Sequence, residues 1–150
     1  MIKLVRTNSD HPDFMALVKQ LDAYLAIIDG EDHAFYDQFN KIDKIKHVVV
    51  AYFNNQPTAC GAIKEYLPNT MEVKRMYTST ASRGKGMATQ VLTELENWAA
   101  ELGYQKCVLE TGKRQEDAVA LYQKNGYLLI PNYGQYATIT NSVCFEKALS

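Results

Sequence analysis

Cysteine is scarce in this chain, and the pattern of the few cysteines argues against two kinds of protein. The 150 residues contain three cysteines, Cys60, Cys107 and Cys144, which lie far apart in apolar stretches without a Cys-x-x-Cys pair or a Cys/His cluster. An odd number of scattered thiols builds neither a disulfide framework nor a zinc site. We therefore predict three reduced, buried thiols that pack as small apolar side chains, and no bound metal.

A surplus of charge and a long apolar run are also missing. The formal net charge at pH 7 is -1, so no overall field draws the chain to nucleic acid or anionic lipid. The longest apolar run, residues 48–53, is far shorter than the ~20 residues that cross a bilayer. The first six residues are too short and too charged for a signal peptide. We expect a cytoplasmic protein with neither nucleic-acid nor membrane partners.

What the chain does contain is the composition and length of one folded domain. Apolar residues make up 47% and charged residues 22% of the sequence, the usual balance of a globular protein. A chain of this size buries roughly 70% of its unfolded surface. No repeat, low-complexity stretch or linker divides it, so we predict a single domain over residues 1–150.

Alternating and helical hydrophobic periodicities predict seven strands and four helices in the order β-α-α-β-β-β-α-β-α-β-β. Three consecutive strands joined by short turns indicate an antiparallel meander. The later strand–helix–strand unit needs a right-handed crossover, which makes its strands parallel. The predicted fold class is therefore α/β (α+β), with a mixed central sheet. The predicted strands cover residues 2–6, 48–53, 58–66, 71–78, 107–109, 127–130 and 142–145, and the predicted helices cover residues 10–29, 31–39, 86–102 and 116–124.

The stretch TASRGKGMATQVL, residues 80–92, places two glycines and two basic residues directly before an amphipathic helix. A Walker P-loop is disfavoured because no Gly-Lys pair is followed by Ser or Thr. A dinucleotide fingerprint is disfavoured because the preceding strands are linked by hairpins rather than by a β-α-β unit. Two interpretations stay open. One is a pyrophosphate site, in which glycines and unpaired first-turn N–H groups approach an anion; the other is a solvated turn with surface cations.

Two motifs make the chain resemble the GNAT (GCN5-related) N-acetyltransferase family. Its motif Arg/Gln-x-x-Gly-x-Gly/Ala, which follows a strand and opens a helix, matches RGKGMA at residues 83–88. Its second motif, Ala-x-x-Leu-Tyr-x-x-x-Gly-Tyr/Phe, matches AVALYQKNGY at residues 118–127. The predicted element order agrees with the family over essentially the whole chain. The resemblance thus implies the GNAT acyl-CoA N-acyltransferase fold and an acetyl-CoA-dependent N-acetyltransferase.

The resemblance also implies where acetyl-CoA, the co-substrate, binds. Its pantetheine arm is expected between two splayed parallel strands, residues 71–78 and 107–111, with a backbone N–H near Met76 polarising the thioester carbonyl. Gln115 stands where the family has an asparagine that contacts this arm, and Thr111 is the alternative contact. The implied cofactor-binding residues are Met76, Tyr77, Thr78, Arg83, Gly84, Lys85, Gly86, Met87, Ala88, Thr111, Gln115 and Tyr122.

Two residues are implied to be catalytic. Tyr122 matches the family tyrosine near the CoA sulfur; a phenol has a pKa of about 10 and a thiol of roughly 8.5, so the phenol can give a proton to the departing thiolate. A core tyrosine packed against Ala118 is the alternative. Many family members use a glutamate on the central strand as a base, which implies Glu72 here. A salt bridge of Glu72 to Lys74 is its alternative, and Glu65 is the reserve base.

The expected acceptor is a primary amine of a small molecule, attacked directly through a tetrahedral intermediate. An acidic cluster after the first helix would suit a cationic acceptor, although acidic residues in a first helical turn also serve as caps. The candidate acceptor-binding residues are Asp29, Glu31, His33 and Tyr133.

Two other functions stay open at this point. One is a non-catalytic acyl-CoA-binding module that keeps the cofactor cleft without turnover. The other is a protein acetyltransferase that acts on lysines or N-termini. Dimerisation is common in the family, so a homodimer is compatible with the resemblance, although no sequence stripe indicates an interface.

Overall fold

Seven strands form one mixed sheet in the computed structural model, which describes residues 1–30 and 44–149. The order of strands in the sheet is β1-β2-β3-β4-β5-β7-β6, and every neighbouring pair is antiparallel except β4 and β5. The mixed sheet is as predicted, with three helices in the described residues. The predicted helix at 31–39 lies outside them. The elements are β1 (Ile2–Thr7), α1 (Pro12–Asp29), β2 (His47–Phe53), β3 (Gln56–Leu67), β4 (Thr70–Thr78), α2 (Met87–Glu101), β5 (Lys106–Gly112), α3 (Glu116–Lys124), β6 (Leu128–Ile130) and β7 (Ser142–Ala148).

Helix α1 covers one face of the sheet. Its start is capped by His11, whose Nδ1 accepts a hydrogen bond of 3.1 Å from the backbone N–H of Asp13. Its apolar side packs on alternate residues of β2 and β3, so burial rather than helix propensity holds it in place. This cluster consists of Phe14, Leu17, Val18, Leu21, Ile45, Val48, Val50, Cys60, Ala62 and Tyr77.

Helix α2 covers the opposite face and completes the second core. Val91, Leu92 and Leu95 are fully buried on its apolar side and contact the residues of β2 and β3 that point away from α1. Because successive side chains of a strand point to opposite faces of the sheet, β2 and β3 each contribute residues to both cores. All three cysteines are free and buried, as predicted.

The parallel pairing of β4 with β5 is short, and this shortness creates the site. Only the pairs Thr70–Lys106, Met71–Cys107 and Glu72–Val108 are in register. Beyond Glu72 the two strands diverge, while β5 stays paired with β7 as far as Gly112. The backbone of β4 after Glu72 consequently faces a cleft.

A β-bulge at Arg75 corrects the predicted alternation of β4. Strict alternation along residues 71–78 predicts Glu72 and Met76 on one face and Arg75 and Tyr77 on the other. In the structure the pairing with β3 shifts by one residue around Gly61, and Arg75 adopts a left-handed φ of 58°. Arg75 and Tyr77 contact α1 and do lie opposite Met76, as predicted. Because of the extra residue, however, Met76 lies above Gly61 in the α2 core together with Met71 and Val73, and so not on the face of Glu72.

No helix within residues 1–30 and 44–149 is both long and apolar enough to cross a membrane.

Candidate active site

The larger of two neighbouring cavities, about 480 Å³, lies in the cleft where β4 leaves β5. One wall is the end of β4, a second is the turn that leads into α2, and a third is α3. Both sequence motifs therefore meet at one cavity, although about thirty residues separate them. Its lining includes Met76, Tyr77, Thr78, Ser82, Arg83, Gly84, Gly86, Met87, Ala88, Gln115, Ala118, Leu121 and Tyr122.

Gly84 and Gly86 give the turn before α2 a shape that few other residues permit. Their φ angles are 82° and 76°, in the left-handed region, and a Cβ built at either position would meet nothing within 4 Å. Glycine is thus required by the backbone angles and not by crowding. Gly86 is the N-cap of α2 and has no side chain to cover the free first-turn N–H groups. These groups open to the cavity, which suits an anion.

The two basic residues of the turn behave differently. The Nε of Arg83 donates to the backbone carbonyl of Thr78 at 3.1 Å, and its guanidinium lies 4.8 Å from the centre of the Tyr24 ring at the cavity wall. Lys85 instead places its ammonium 4.8 Å from the centre of the Phe53 ring. Within residues 83–88, Lys85 is the residue that does not line the larger cavity.

The wall of this cavity offers a polar atom that nothing in the fold satisfies. The hydroxyl oxygen of Thr78 is buried and has no hydrogen-bond partner within the described chain. Such an atom is costly to leave unpaired. The diverging strands, the free N–H groups of α2 and this hydroxyl therefore fit a long polar ligand with an anionic end, such as coenzyme A.

The smaller cavity, about 90 Å³, adjoins the larger one on the side of β5. Charged and polar side chains dominate its wall, with both signs present. The two cavities share Leu21, Met76, Gln115 and Tyr122 in their linings. The remaining lining residues are Leu25, Glu72, Val73, Lys74, Arg75, Glu110, Thr111, Gly112 and Tyr136.

Two carboxylates line this smaller cavity, and each is held by a hydroxyl. Glu72 accepts a 2.6 Å hydrogen bond from the phenol of Tyr133, and its second oxygen lies 3.7 Å from Nζ of Lys74. Glu110 accepts a 2.7 Å hydrogen bond from Ser142. The salt bridge foreseen as an alternative for Glu72 thus exists, but it is long and spans a cavity wall rather than an exposed surface.

Tyr122 stands at the junction of both cavities and remains a neutral acid. Its ring is buried between Tyr127 and Phe145. Burial raises the pKa of its phenol well above the usual value, and the charge of Glu110 raises it further. The proton therefore stays on the phenol at neutral pH.

The remaining predicted residues fall into three groups. Thr111 lines the smaller cavity, and Tyr133 reaches the site through its bond to Glu72. Glu65, the reserve base, is instead exposed, accepts a hydrogen bond from Tyr104 and is not part of either lining. Asp29 is the last residue of α1. The candidates Glu31 and His33 lie outside the described residues.

Sequence reasoning missed Arg75 and Glu110 as members of the site. For the loop at residues 131–136 it left both packing and acceptor recognition open for the two tyrosines, Tyr133 and Tyr136. The signal for Arg75 was Gly61: an isolated glycine in an apolar strand suggests a bulge in the pairing. The role that the spacing of Glu110 suggests is the acidic residue of a dinucleotide fingerprint, about twenty residues after the glycines. Tyr136 lines the smaller cavity, and its place depends on a short turn at Gly134–Tyr136.

Among the described residues, no group of three or more His, Cys, Asp or Glu side chains is placed to hold a metal ion.

Comparisons with known proteins agree with this geometry. The "Uncharacterized N-acetyltransferase YsnE" of Bacillus subtilis is 35% identical over 101 residues, covering 66% of this chain and 67% of that protein. The "IAA acetyltransferase" of Azospirillum brasilense is 30% identical over 150 residues, covering 99% and 98%.

Solved structures share the fold over the full chain. A Klebsiella pneumoniae protein described as an acyl-CoA N-acyltransferase superposes with a TM-score of 0.84 at 25% identity, covering 100% of this chain and 99% of the other. A GNAT acetyltransferase of Elizabethkingia anophelis, solved with acetyl-CoA bound, superposes with a TM-score of 0.69 at 18% identity, covering 98% and 97%. The model of the Acetyltransferase (GNAT) family matches residues 15–127, which include both motifs. The chain belongs to the GNAT acetyltransferase family.

Proposed function

We propose that the protein transfers the acetyl group of acetyl-CoA to a primary amine of a small molecule. One observation carries this proposal: Tyr122 lines both cavities, so a single buried phenol reaches from the cofactor cleft to the smaller polar cavity. A direct transfer between two ligands needs such a junction, because the reacting atoms must come within about 3–3.5 Å of each other.

The larger cavity is the proposed cofactor site. The first-turn N–H groups of α2, next to Gly84 and Gly86, would hold the pyrophosphate, and Arg83 would add charge beside it. The backbone from Met76 to Thr78, which lies beyond the last β4–β5 pair, would bind the pantetheine arm, as a missing strand would. When bound, acetyl-CoA supplies an acetyl group activated as a thioester.

The side chains of the smaller cavity can move the protons that the transfer requires. An amine is mostly protonated at neutral pH, so Glu72, directly or through water, would accept a proton before the nitrogen attacks. Attack of the nitrogen on the thioester carbonyl would form the carbon–nitrogen bond of a tetrahedral intermediate. As the carbon–sulfur bond then breaks, Tyr122 would give its proton to the departing sulfur, and the second proton that the nitrogen loses would restore the phenol. The raised pKa of Tyr122 means that the phenol is protonated when the transfer begins.

A small acceptor is favoured by the size of the second cavity. Its volume of about 90 Å³ admits a compact group rather than an extended peptide. A relative that spans nearly the whole chain is named "IAA acetyltransferase", so IAA is included in the panel of acceptors below.

Two measurements test the proposal in sequence. Calorimetry with acetyl-CoA should give binding at one site per chain, and its absence at high micromolar cofactor would overturn the assignment of the larger cavity. Thiol release from acetyl-CoA is then followed over small amines, IAA, lysine-containing peptides and N-terminal peptides. Turnover on small amines supports the proposal. Turnover on peptides alone would make the protein a protein acetyltransferase, and binding without any turnover would make it an acyl-CoA-binding module.

A further inference from the structure

Arg75 is an unusual residue at the wall of the smaller cavity. It is the bulged residue of β4, with a φ of 58° that disfavours any side chain with a Cβ. Its side chain is only 3% exposed, and its Nη1 lies 2.8 Å from Oδ1 of Asp22 on α1. A buried charge on a strained backbone is a costly arrangement, and such arrangements cluster at functional sites.

The second terminal nitrogen of this guanidinium has no hydrogen-bond partner among the described residues. Nη2 of Arg75 is buried, and no atom within residues 1–30 and 44–149 accepts a hydrogen bond from it. Asp22 binds Nη1 of the guanidinium and makes no hydrogen bond with Nη2. A guanidinium binds a carboxylate through two parallel N–H groups. An unused N–H on a residue that lines a cavity can therefore bind an anionic oxygen of a ligand.

Charges of both signs line the cavity. Glu72 and Glu110 supply two carboxylates, and Lys74 and Arg75 supply two cations. A ligand with a single positive charge would bind near the carboxylates but would offer no acceptor to Nη2 of Arg75. A ligand with an amine and an acid group satisfies both.

We propose that the acceptor carries a carboxylate, which Nη2 of Arg75 binds, with Lys74 adding charge. The acceptor class is then an amino acid or a similar amine that bears an acid group. Its amine lies toward Glu72, and its carboxylate holds it in the orientation for attack. This inference rests on the proposed acetyl transfer, and it makes Arg75 the residue that determines acceptor specificity.

The wild-type protein supplies the first test, which needs no variant. Thiol release is measured with matched sets of acceptors: an amino acid, its carboxamide and the amine without the acid group, for alanine, methionine and phenylalanine. These sets keep the side chain and change the carboxylate. We expect kcat/KM for at least one free acid to exceed that of its carboxamide by about 30-fold or more, the range found when one partner of a buried charge pair is lost.

Variants then assign the preference to Arg75. In Arg75→Gln, kcat/KM for the acid should lie within ~threefold of kcat/KM for its carboxamide, because the guanidinium that binds the carboxylate is gone. Asp22→Asn removes the same ion pair but keeps the guanidinium, so the preference should remain. Arg6→Gln is a control, because Arg6 pairs with Glu94 and Glu101 away from both cavities. Circular dichroism and acetyl-CoA affinity show whether each variant is folded.

The outcomes separate this inference from the proposed function. Equal turnover of acids, carboxamides and plain amines would overturn the inference and leave acetyl transfer to amines standing. Loss of the acid preference in Asp22→Asn as much as in Arg75→Gln would make Arg75 a structural ion-pair partner and would also overturn it. If no amine is acetylated although acetyl-CoA binds, the proposed function and the inference both fail.

Discussion

The phenol of Tyr133 donates a 2.6 Å hydrogen bond to Oε2 of Glu72, and this bond ties the loop before β7 to the central strand β4. Glu72 is 9% exposed and Tyr133 packs on Tyr66 and Tyr136. Burial raises the pKa of the Tyr133 phenol above its usual value, and the adjacent Glu72 carboxylate raises it further, so the phenol stays a donor. The bond fixes one oxygen of the carboxylate and leaves the other at the cavity.

Tyr133→Phe removes this hydrogen bond while the ring stays. We expect the free energy of unfolding to fall by about 1–3 kcal/mol, as for a buried hydrogen bond to a charged group. The KM for the acceptor should rise, and acetyl-CoA affinity should not change, because Tyr133 is not part of the larger cavity. Tyr104→Phe is the matched control, since Tyr104 makes the same bond of 2.6 Å to the exposed Glu65. An equal effect of both variants on acceptor kinetics would contradict the placement of Tyr133.

Tyr122→Phe tests the proton donor. We expect kcat to fall by about 10²–10⁴, the usual contribution of a general acid, with little change in acetyl-CoA affinity by calorimetry. Tyr127→Phe serves as control. The ring of Tyr127 makes an edge-to-face contact with that of Tyr122, with 5.8 Å between ring centres, but its phenol donates to Glu96 in the core. Tyr127→Phe should lower stability and spare kcat. Parallel losses of turnover and cofactor affinity in Tyr122→Phe would indicate a packing role instead.

Glu72→Gln tests the base. The amide oxygen can still accept from Tyr133, so the loop should stay in place while proton acceptance is lost. We expect kcat/KM at neutral pH to fall by ~10²-fold or more, and the deficit to shrink as pH rises toward the pKa of the amine. Glu65→Gln should leave the pH profile unchanged. If Glu110→Gln reproduces this pH-dependent deficit and Glu72→Gln does not, the base is Glu110.

Gly86→Ala tests the anion site before α2. A Cβ at Gly86 meets no neighbour, so the cost is the left-handed backbone, about 1–2 kcal/mol. If the turn relaxes to escape this strain, the N–H groups lose their alignment and acetyl-CoA affinity falls. Gly103→Ala is a matched control. Gly103 has a φ of 93° and equally open space, but it lies at the other end of α2. Both variants should lose similar stability, and only Gly86→Ala should weaken cofactor binding; weakening in both would argue against a specific site.

The cysteines give a prediction about pH. Burial raises the pKa of Cys60 and of Cys107 to about 12, against a usual thiol value of ~8.5–9. The unfolded chain therefore loses these protons first, and the folded state loses stability as pH rises from about 9 toward 12. The midpoint of urea unfolding should be lower at pH 10 than at pH 8. Cys60→Ala should reduce the size of that drop, although it lowers the midpoint at both pH values.

Reactivity toward a thiol reagent checks the same burial independently. At pH 8 the cysteines of the folded protein should react slowly with the reagent. The urea-unfolded protein should consume three equivalents of reagent per chain, one for each cysteine. Rapid labelling of the folded protein would show that a cysteine is accessible, which would also rule out a simple thiol-release assay without a no-substrate control.

The site residues that the sequence predicts are those whose positions depend only on neighbouring residues in the chain. Gly84 and Gly86 could be identified because a left-handed turn before a helix calls for glycine, and Tyr122 could be placed because its motif also fixes the helix that carries it. Lys85 was expected at the pyrophosphate, but its position depends on Phe53, which is distant in sequence and adjacent only after the sheet forms. Charge alone did not decide where that side chain lies.

The prediction of strict alternation in β4 was wrong for a different reason. Strict alternation assumes that each residue of β4 faces one residue of β3, and the bulge at Arg75 breaks this count. The break depends on the partner strand, where a Cβ at Gly61 would lie 2.5 Å from Sδ of Met76. A single strand does not contain that information. As a result, Met76 lies with Met71 and Val73 rather than on the face of Glu72. Arg75, the bulged residue, is the one that carries the further inference.

The short pairing of β4 with β5 has a consequence for the newly made chain. β2, β3 and β4 pair with sequence neighbours across tight turns, so they can form while later residues are still being synthesised. β5 has only three pairs with β4, and its other edge is closed by β7, the last strand to appear. A nascent chain that stops before residue 142 holds both motifs and Tyr122, yet it lacks the strand that fixes β5. Completion of the cleft beside β5 therefore requires that β7 has been synthesised.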